Sequence, residues 1–447
     1  MSTRLTLRAA VLAGALASGL ALALAACGGG GGASGGSTSG TATPASTPTS
    51  TPTSTPTASA PAASGTGATT STPPASTTGS VAQSSTPNVL PISVASTPTS
   101  TRNMLMASVT VCIPGTRTCA IVDNVQVDTG SQGLRLLASA LPAGFALPAV
   151  AAGGGSAPAG SCAAFGSGYT WGAVRSADVK LAGEVASALP IQLIADPSVP
   201  GAPSACKSFG LAMLNSTVLR SNGILGVGPF GADCGAACVN GPNSSWYYAC
   251  PTGASGSCTP SAQPLAQQIS NPVAAFATDN NGVVIDLPAI PATGQGSVSG
   301  SLIFGIGSQA NNALGSATVL RGNSVTGFVS TTTSDGSVYS QSYIDSGSNG
   351  FFFANTTLTR CGVWFCPSSP QSLSATLKGV DGVTANASLS VANATSLFAT
   401  GNWAFNDLAG YNGSAFGWGL PFFFGRRVYT AIEAQTTPAG AGPYYAF

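Results

Sequence analysis

Two short stretches carry residues that could do chemistry together: "QVDTGSQG" at residues 126–133 and "YIDSGSNG" at residues 343–350. Each sets an aspartate, Asp128 or Asp345, after an apolar approach and before a hydroxyl residue, a glycine and a serine. Asp and Glu together number 13 in 447 residues, so abundance does not explain a frame that recurs around two of them. Two carboxyls within hydrogen-bonding distance cannot both ionise cheaply; their titrations separate, and the pair keeps one proton. The ionised member can act as base towards a water lodged between them. The protonated member can polarise a carbonyl and then assist a leaving amine. That is amide hydrolysis without a covalent intermediate. Each frame also predicts a strand end followed by a tight turn, with Gly130 and Gly347 supplying dihedral freedom. Neighbouring hydroxyls and backbone N–H groups can fix the carboxylates there.

Composition removes the competing mechanisms. Histidine is absent, which excludes a Ser-His-Asp triad, a Cys-His pair and a His-ligated zinc. Charged residues are 6% of the chain, and the lysines are Lys180, Lys207 and Lys378. A net charge of +1 without a basic run gives no footprint for nucleic acid. "GVGPFG" at residues 226–231 fits a dinucleotide-binding letter pattern, but Pro229 spoils the helix that such a site needs, so it reads as a turn.

The elements that must position the aspartates have a β texture. From Met104 to Phe447, short runs such as "MLMASVTVCI", "CAIVDNVQV", "GVVIDLP", "GSLIFGIG" and "RVYTAI" alternate with Gly, Pro, Asn and Ser. "PLAQQIS" at 264–270 is one short helix candidate. The length suffices for two lobes and a large core, and many short strands predict barrels or sandwiches.

The N-terminus directs the chain out of the cytoplasm. Arg4 and Arg8 precede an apolar stretch, Ala9 to Ala26, that is short for a membrane span and laid out like an export signal. Its end, "LAAC" at Leu24–Cys27, resembles the lipobox of bacterial lipoproteins. That resemblance implies removal of residues 1–26, a lipid on Cys27 and, with Gly28 following, passage to the outer membrane. Residues 27–101 are then a Gly/Ser/Thr/Pro tether with almost nothing to bury, expected to stay unfolded and to span on the order of 50 Å. Setting Cys27 aside leaves an even number of the 11 cysteines, which in an exported chain reads as disulfides. Cys112 with Cys119 and Cys361 with Cys366 are close enough for local loops, but the pairing stays open. "CGAAC" and "CGVWFC" lack the paired spacing of a zinc ribbon, so neither a metal nor a cofactor is expected.

The two frames resemble the Asp-Thr/Ser-Gly motifs of pepsin-like aspartic proteases, in which each of two similar β lobes gives one aspartate to a central cleft. The likeness extends over most of the chain after the tether. "MASVTVCIPGTRTCAIVDNVQVDTGS" is similar to the family's opening hairpin, and "AAFGSGYTWGAVRSADVKLAG" at 163–183 to its flap. "NGILGVG" at 222–228 is similar to the segment beneath the first aspartate, "GSLIFGIGS" to the end of the first lobe, and "RRVYTAIE" to the strand after the last such segment.

The resemblance implies an all-β, bilobal pepsin-like fold of two similar β-barrel lobes, residues 102–310 and 311–447. It makes Asp128 and Asp345 the catalytic dyad. Thr129 and Ser346 tie the two loops, Ser131 and Ser348 bond the outer carboxylate oxygens, and Gly130 and Gly347 permit the turns. Phe165, Gly166 and Gly168 form the flap tip.

Three residue patterns depart from the family. Phe165 replaces the flap tyrosine, with Trp171 as a substitute donor. Arg135 replaces a tryptophan seven positions after Asp128, and its cation is expected to lower the dyad's pKa. The last hydrophobic-hydrophobic-Gly segment is blurred into "FGWGLPFFFG". The expected function is a monomeric, lipid-anchored aspartic endopeptidase acting on extended or unfolded peptides, with apolar pockets lined by residues such as Phe351 to Phe353. The alternatives are a catalytically silent peptide- or envelope-binding lipoprotein on the same fold, and a structural lipoprotein whose frames are only turns.

Overall fold

The computed structural model describes residues 86–447; the leader, Cys27 and most of the expected tether lie outside the described residues. Short strands recur throughout, some with the alternating burial of a half-buried sheet, as in Val89–Val94 and Thr384–Val391. Strands β1 (Val89–Val94), β2 (Leu105–Cys112), β3 (Cys119–Asp128), β4 (Gln132–Leu137), β5 (Ala159–Phe165), β6 (Gly168–Leu181), β7 (Glu184–Ile194), β8 (Gly223–Val227) and β9 (Tyr247–Ala249) all belong to one sheet of 15 strands. A second sheet of nine strands holds the second frame, at the end of Val338–Ile344. Described α-helices are single turns of 4 to 6 residues. The fold is all-β and bilobal, with barrel-like sheets beside a central cleft.

A continuous apolar core runs through both halves. Val109, Val125, Val127 and Leu134 fill it in the first half, and Phe353, Phe416 and Trp418 in the second. Phe416 stacks between Phe353, at 5.1 Å, and Trp418, at 4.6 Å, which fixes the strands on which the second frame stands. Five disulfides pair Cys112 with Cys119, Cys162 with Cys206, Cys234 with Cys238, Cys250 with Cys258 and Cys361 with Cys366. Four of them close loops; the fifth joins β5 to a segment 44 residues away.

Three expectations need correction. Residues 89–94, assigned to the tether, are strand β1, paired along its whole length with Val298–Phe304 and at its end with β2. Its inward residues Leu90, Ile92 and Val94 are buried, and this brief alternation was lost among Ser, Thr and Pro. The lobe boundary at 310/311 does not divide the sheets. Val319–Arg321, Arg426–Ala431 and Tyr444–Ala446 all return to the 15-stranded sheet, the second of these beside Gly282–Leu287. Finally, the helix candidate at 264–270 is only a 3-10 turn, Leu265–Gln267.

Candidate active site

Each aspartate ends a strand that a later strand holds in place. β8 lies between β3 and β4, parallel to the first and antiparallel to the second, and sets Gly226 opposite both Asp128 and Gly133. In the second half, Phe416–Trp418 lies in the same way between Val338–Ile344 and Phe351–Phe353. The Asp345 N–H donates to the Trp418 carbonyl at 2.9 Å. Past the glycines, Gly228 N–H donates to Ser131 O at 2.8 Å and Leu420 N–H to Ser348 O at 2.7 Å. The blurred "FGWGLPFFFG" thus does for Asp345 what "NGILGVG" does for Asp128.

The two loops meet back to back. Thr129 Oγ1 donates to the Ile344 carbonyl at 3.1 Å and accepts the Ser346 N–H at 3.0 Å. In return, Ser346 Oγ donates to the Val127 carbonyl at 2.9 Å and accepts the Thr129 N–H at 3.2 Å. Gly130 N–H and Ser131 Oγ donate to the two oxygens of Asp128 at 2.7 and 2.5 Å. Gly347 N–H and Ser348 Oγ do the same for Asp345 at 2.7 and 2.6 Å.

The glycines have a different reason from the one expected. Neither Gly130 nor Gly347 adopts a positive φ. Each stands against the opposite aspartate instead: a Cβ on Gly130 would lie 2.7 Å from Asp345 Cγ, and one on Gly347 2.5 Å from Asp128 Oδ1. Close approach, not turn geometry, demands glycine here.

The carboxyls of Asp128 and Asp345 therefore face one another, each against the glycine of the other's turn. Burial first, then the charge of Asp345 and its hydrogen-bonding carboxyl, hold Asp128 well above the usual carboxylate range. Ser131 and the Gly130 N–H pull the other way and are outweighed. The arrangement can therefore keep one proton between two oxygens, one member acidic and the other basic.

Two cavities meet at the pair, one of about 160 Å³ and one of about 340 Å³. Asp128, Asp345, Phe165, Gly166, Tyr343 and Asn412 line both, so the hairpin tip and the dyad mark the divide between them. That hairpin is β5 and β6, joined through Gly166 and Ser167. Gly168 is held against backbone; its Cβ would clash with the Leu211 carbonyl oxygen. Trp171 does not serve as a cleft donor. It is buried on the far side, where Nε1 donates to the Pro200 carbonyl at 2.8 Å and the ring meets Tyr248 edge-on. Of Phe351 to Phe353, Phe352 lines the smaller cavity, while the strand's alternation sends the other two into the core.

Arg135 also differs from expectation. It is 2% exposed and ion-paired with Asp233 at 2.9 Å, so its charge is spent there and has no part in shifting Asp128. Sequence reading missed Asp233, Tyr343 and Asn412 as cleft residues. Asp233, a scarce acid inside "FGADCG", offered the one usable signal. Among the described residues no group of three or more Cys, Asp or Glu side chains is gathered as metal ligands.

The chain belongs to the family described as "Protein of unknown function (DUF3443)", whose profile matches residues 84–447. No curated protein matches it. Among solved structures, the aspartic proteinase of Irpex lacteus is similar at 15% identity and a TM-score of 0.47, over 80% of this chain and 96% of that one.

Proposed function

We propose that the protein is an aspartic endopeptidase, exported as a lipoprotein and anchored through Cys27 to the cell envelope, at the outer membrane. The single observation that supports hydrolysis is the face-to-face placement of two carboxyls, each fixed by a serine hydroxyl and a glycine N–H. In this reading Asp128 holds the shared proton and Asp345 accepts one from the attacking water. The water oxygen bonds to the peptide carbonyl carbon while Asp128 protonates the carbonyl oxygen. Collapse of the tetrahedral adduct breaks the C–N bond: Asp345 passes its proton to the amine, and Asp128 takes back the proton on the former carbonyl oxygen as the acid forms. An extended peptide would cross from the smaller cavity to the larger, beneath Phe165 and Gly166, and pair with the flap edge. One chain supplies both carboxyls, so a monomer suffices.

The test is cleavage of an unfolded protein by the full chain, scanned from acidic to neutral pH. Asp128→Asn is expected to lower the rate by about 10³-fold. Equal behaviour of native protein and variant, with no cleavage by either, would overturn the proposal. Phe165, which brings no hydroxyl to the flap tip, favours a second reading, a peptide-binding lipoprotein; peptide binding without turnover is its signature.

A further inference from the structure

Arg135 stands on β4, seven residues beyond Asp128, where a large cation in a nearly dry interior needs an explanation. Its guanidinium has two arms. Nη2 donates to Asp233 Oδ2 at 2.9 Å, and Nη1 to Gln192 Oε1 at 3.3 Å. Gln192, on β7, reaches both strands of the hairpin that borders the cleft. Its Oε1 accepts from Thr170 Oγ1, on β6, at 2.7 Å, and its Nε2 donates to the Ser161 carbonyl, on β5, at 2.7 Å. Asp233 is held in turn by Tyr247, whose hydroxyl donates to Oδ1 at 2.6 Å and accepts the Ile269 N–H at 2.6 Å. Tyr247 lies on β9, directly opposite Ser161 in the ladder. Ser161, Thr170, Gln192 and Tyr247 have no exposed surface.

This chain of groups joins the strand that leaves the dyad to the base of the flap. Arg135 and Asp233 also form part of the wall of the larger cavity. On its other side the flap is tied through Tyr169, whose N–H donates to Leu211 O and whose carbonyl accepts the Met213 N–H, each at 2.9 Å. At the flap tip Phe165 brings no hydroxyl, and the Ser167 hydroxyl turns to Met213 Sδ at 3.1 Å.

We propose that Arg135 is a positioning residue: its fork, through Gln192, sets the angle at which the flap stands over Asp128 and Asp345. The proposal rests on the peptidase reading for its kinetic consequence, but its structural consequence is independent of turnover. Removing one member of a buried ion pair strands the other charge, so the informative variant removes both. Arg135→Met with Asp233→Asn leaves Tyr247 an acceptor and takes away the link to Gln192.

In the full chain, that double variant is expected to raise hydrogen exchange at the backbone amides of residues 161–170 about tenfold while β7 and β9 keep native protection. For cleavage of an unfolded protein, KM is expected to rise about tenfold with kcat within about twofold, because a loosened flap must be ordered on binding. Arg135→Lys, which keeps a charge beside Asp233 but lacks the fork, falls between the two. Unchanged exchange at 161–170 overturns the proposal. So does exchange raised equally in β7 and β9, which would make the cluster a general support of the interior. A native chain without peptidase activity would sink the peptidase reading alone, and the exchange measurement would still decide the role of Arg135.

Discussion

A carboxyl at the buried end of an apolar strand is costly when ionised, and Asp128 shows how that cost is turned into a held proton. Its folded pKa lies well above the ordinary value of 3.8, with burial the first cause and Asp345 the second. The unfolded chain releases this proton near about pH 4, whereas the folded chain keeps it to higher pH, so stability falls as pH rises through that window. Asp128→Asn removes the dependence. The variant is expected to melt at a higher temperature than the native protein at about pH 7, with the gap closing towards about pH 4. A gap that is reversed, or independent of pH in thermal melts, would count against a raised pKa. The identity of both aspartates was legible because acidic residues are so rare. The reason for Gly130 and Gly347 was not, since it depends on a carboxyl more than 200 positions away. The behaviour of Arg135 was hidden likewise, because its partner Asp233 follows 98 residues later, at no helical or strand spacing.

At the scale of elements, the site depends on two strand-turn units pressed together through Thr129 and Ser346. Both residues are buried and each makes two bonds to the opposite loop. Thr129→Val keeps the shape of the side chain but leaves the Ile344 carbonyl and the Ser346 N–H without that partner. Destabilisation of about 2–4 kcal/mol is expected, measurable by urea unfolding. A loss below about 0.5 kcal/mol would show that the loops do not rely on this contact. The β character of these units could be read from alternation in "CAIVDNVQV" and "GSLIFGIG". Their sheet partners could not. "FGWGLPFFFG" is apolar at nearly every position, so it carries no period, and its role appears only from its parallel pairing with Val338–Ile344.

For the whole molecule, β1 is part of the folded body rather than of the tether. Leu90, Ile92 and Val94 face the core, and burial of each side chain contributes about 1.5–3 kcal/mol. A chain that starts at Arg102 loses all three and uncovers Val298–Phe304, a loss comparable to the whole stability of many domains. Differential scanning calorimetry is expected to show one cooperative transition for a chain starting at Ser84 and none for one starting at Arg102. Equal transitions would return β1 to the tether. The bilobal plan was legible from the repeated frame, whereas the return of Arg426–Ala431 and Tyr444–Ala446 to the larger sheet was not, since strand propensity names no partner. The sharing of one proton between Asp128 and Asp345 is tested most directly by the infrared spectrum of isotope-labelled aspartates, native minus Asp128→Asn, at about pH 6. Asp407, which burial raises to about 6, contributes to both samples and cancels. A protonated carboxyl band present in the native protein and missing from the variant is the predicted result. A difference made only of ionised carboxylate would contradict it.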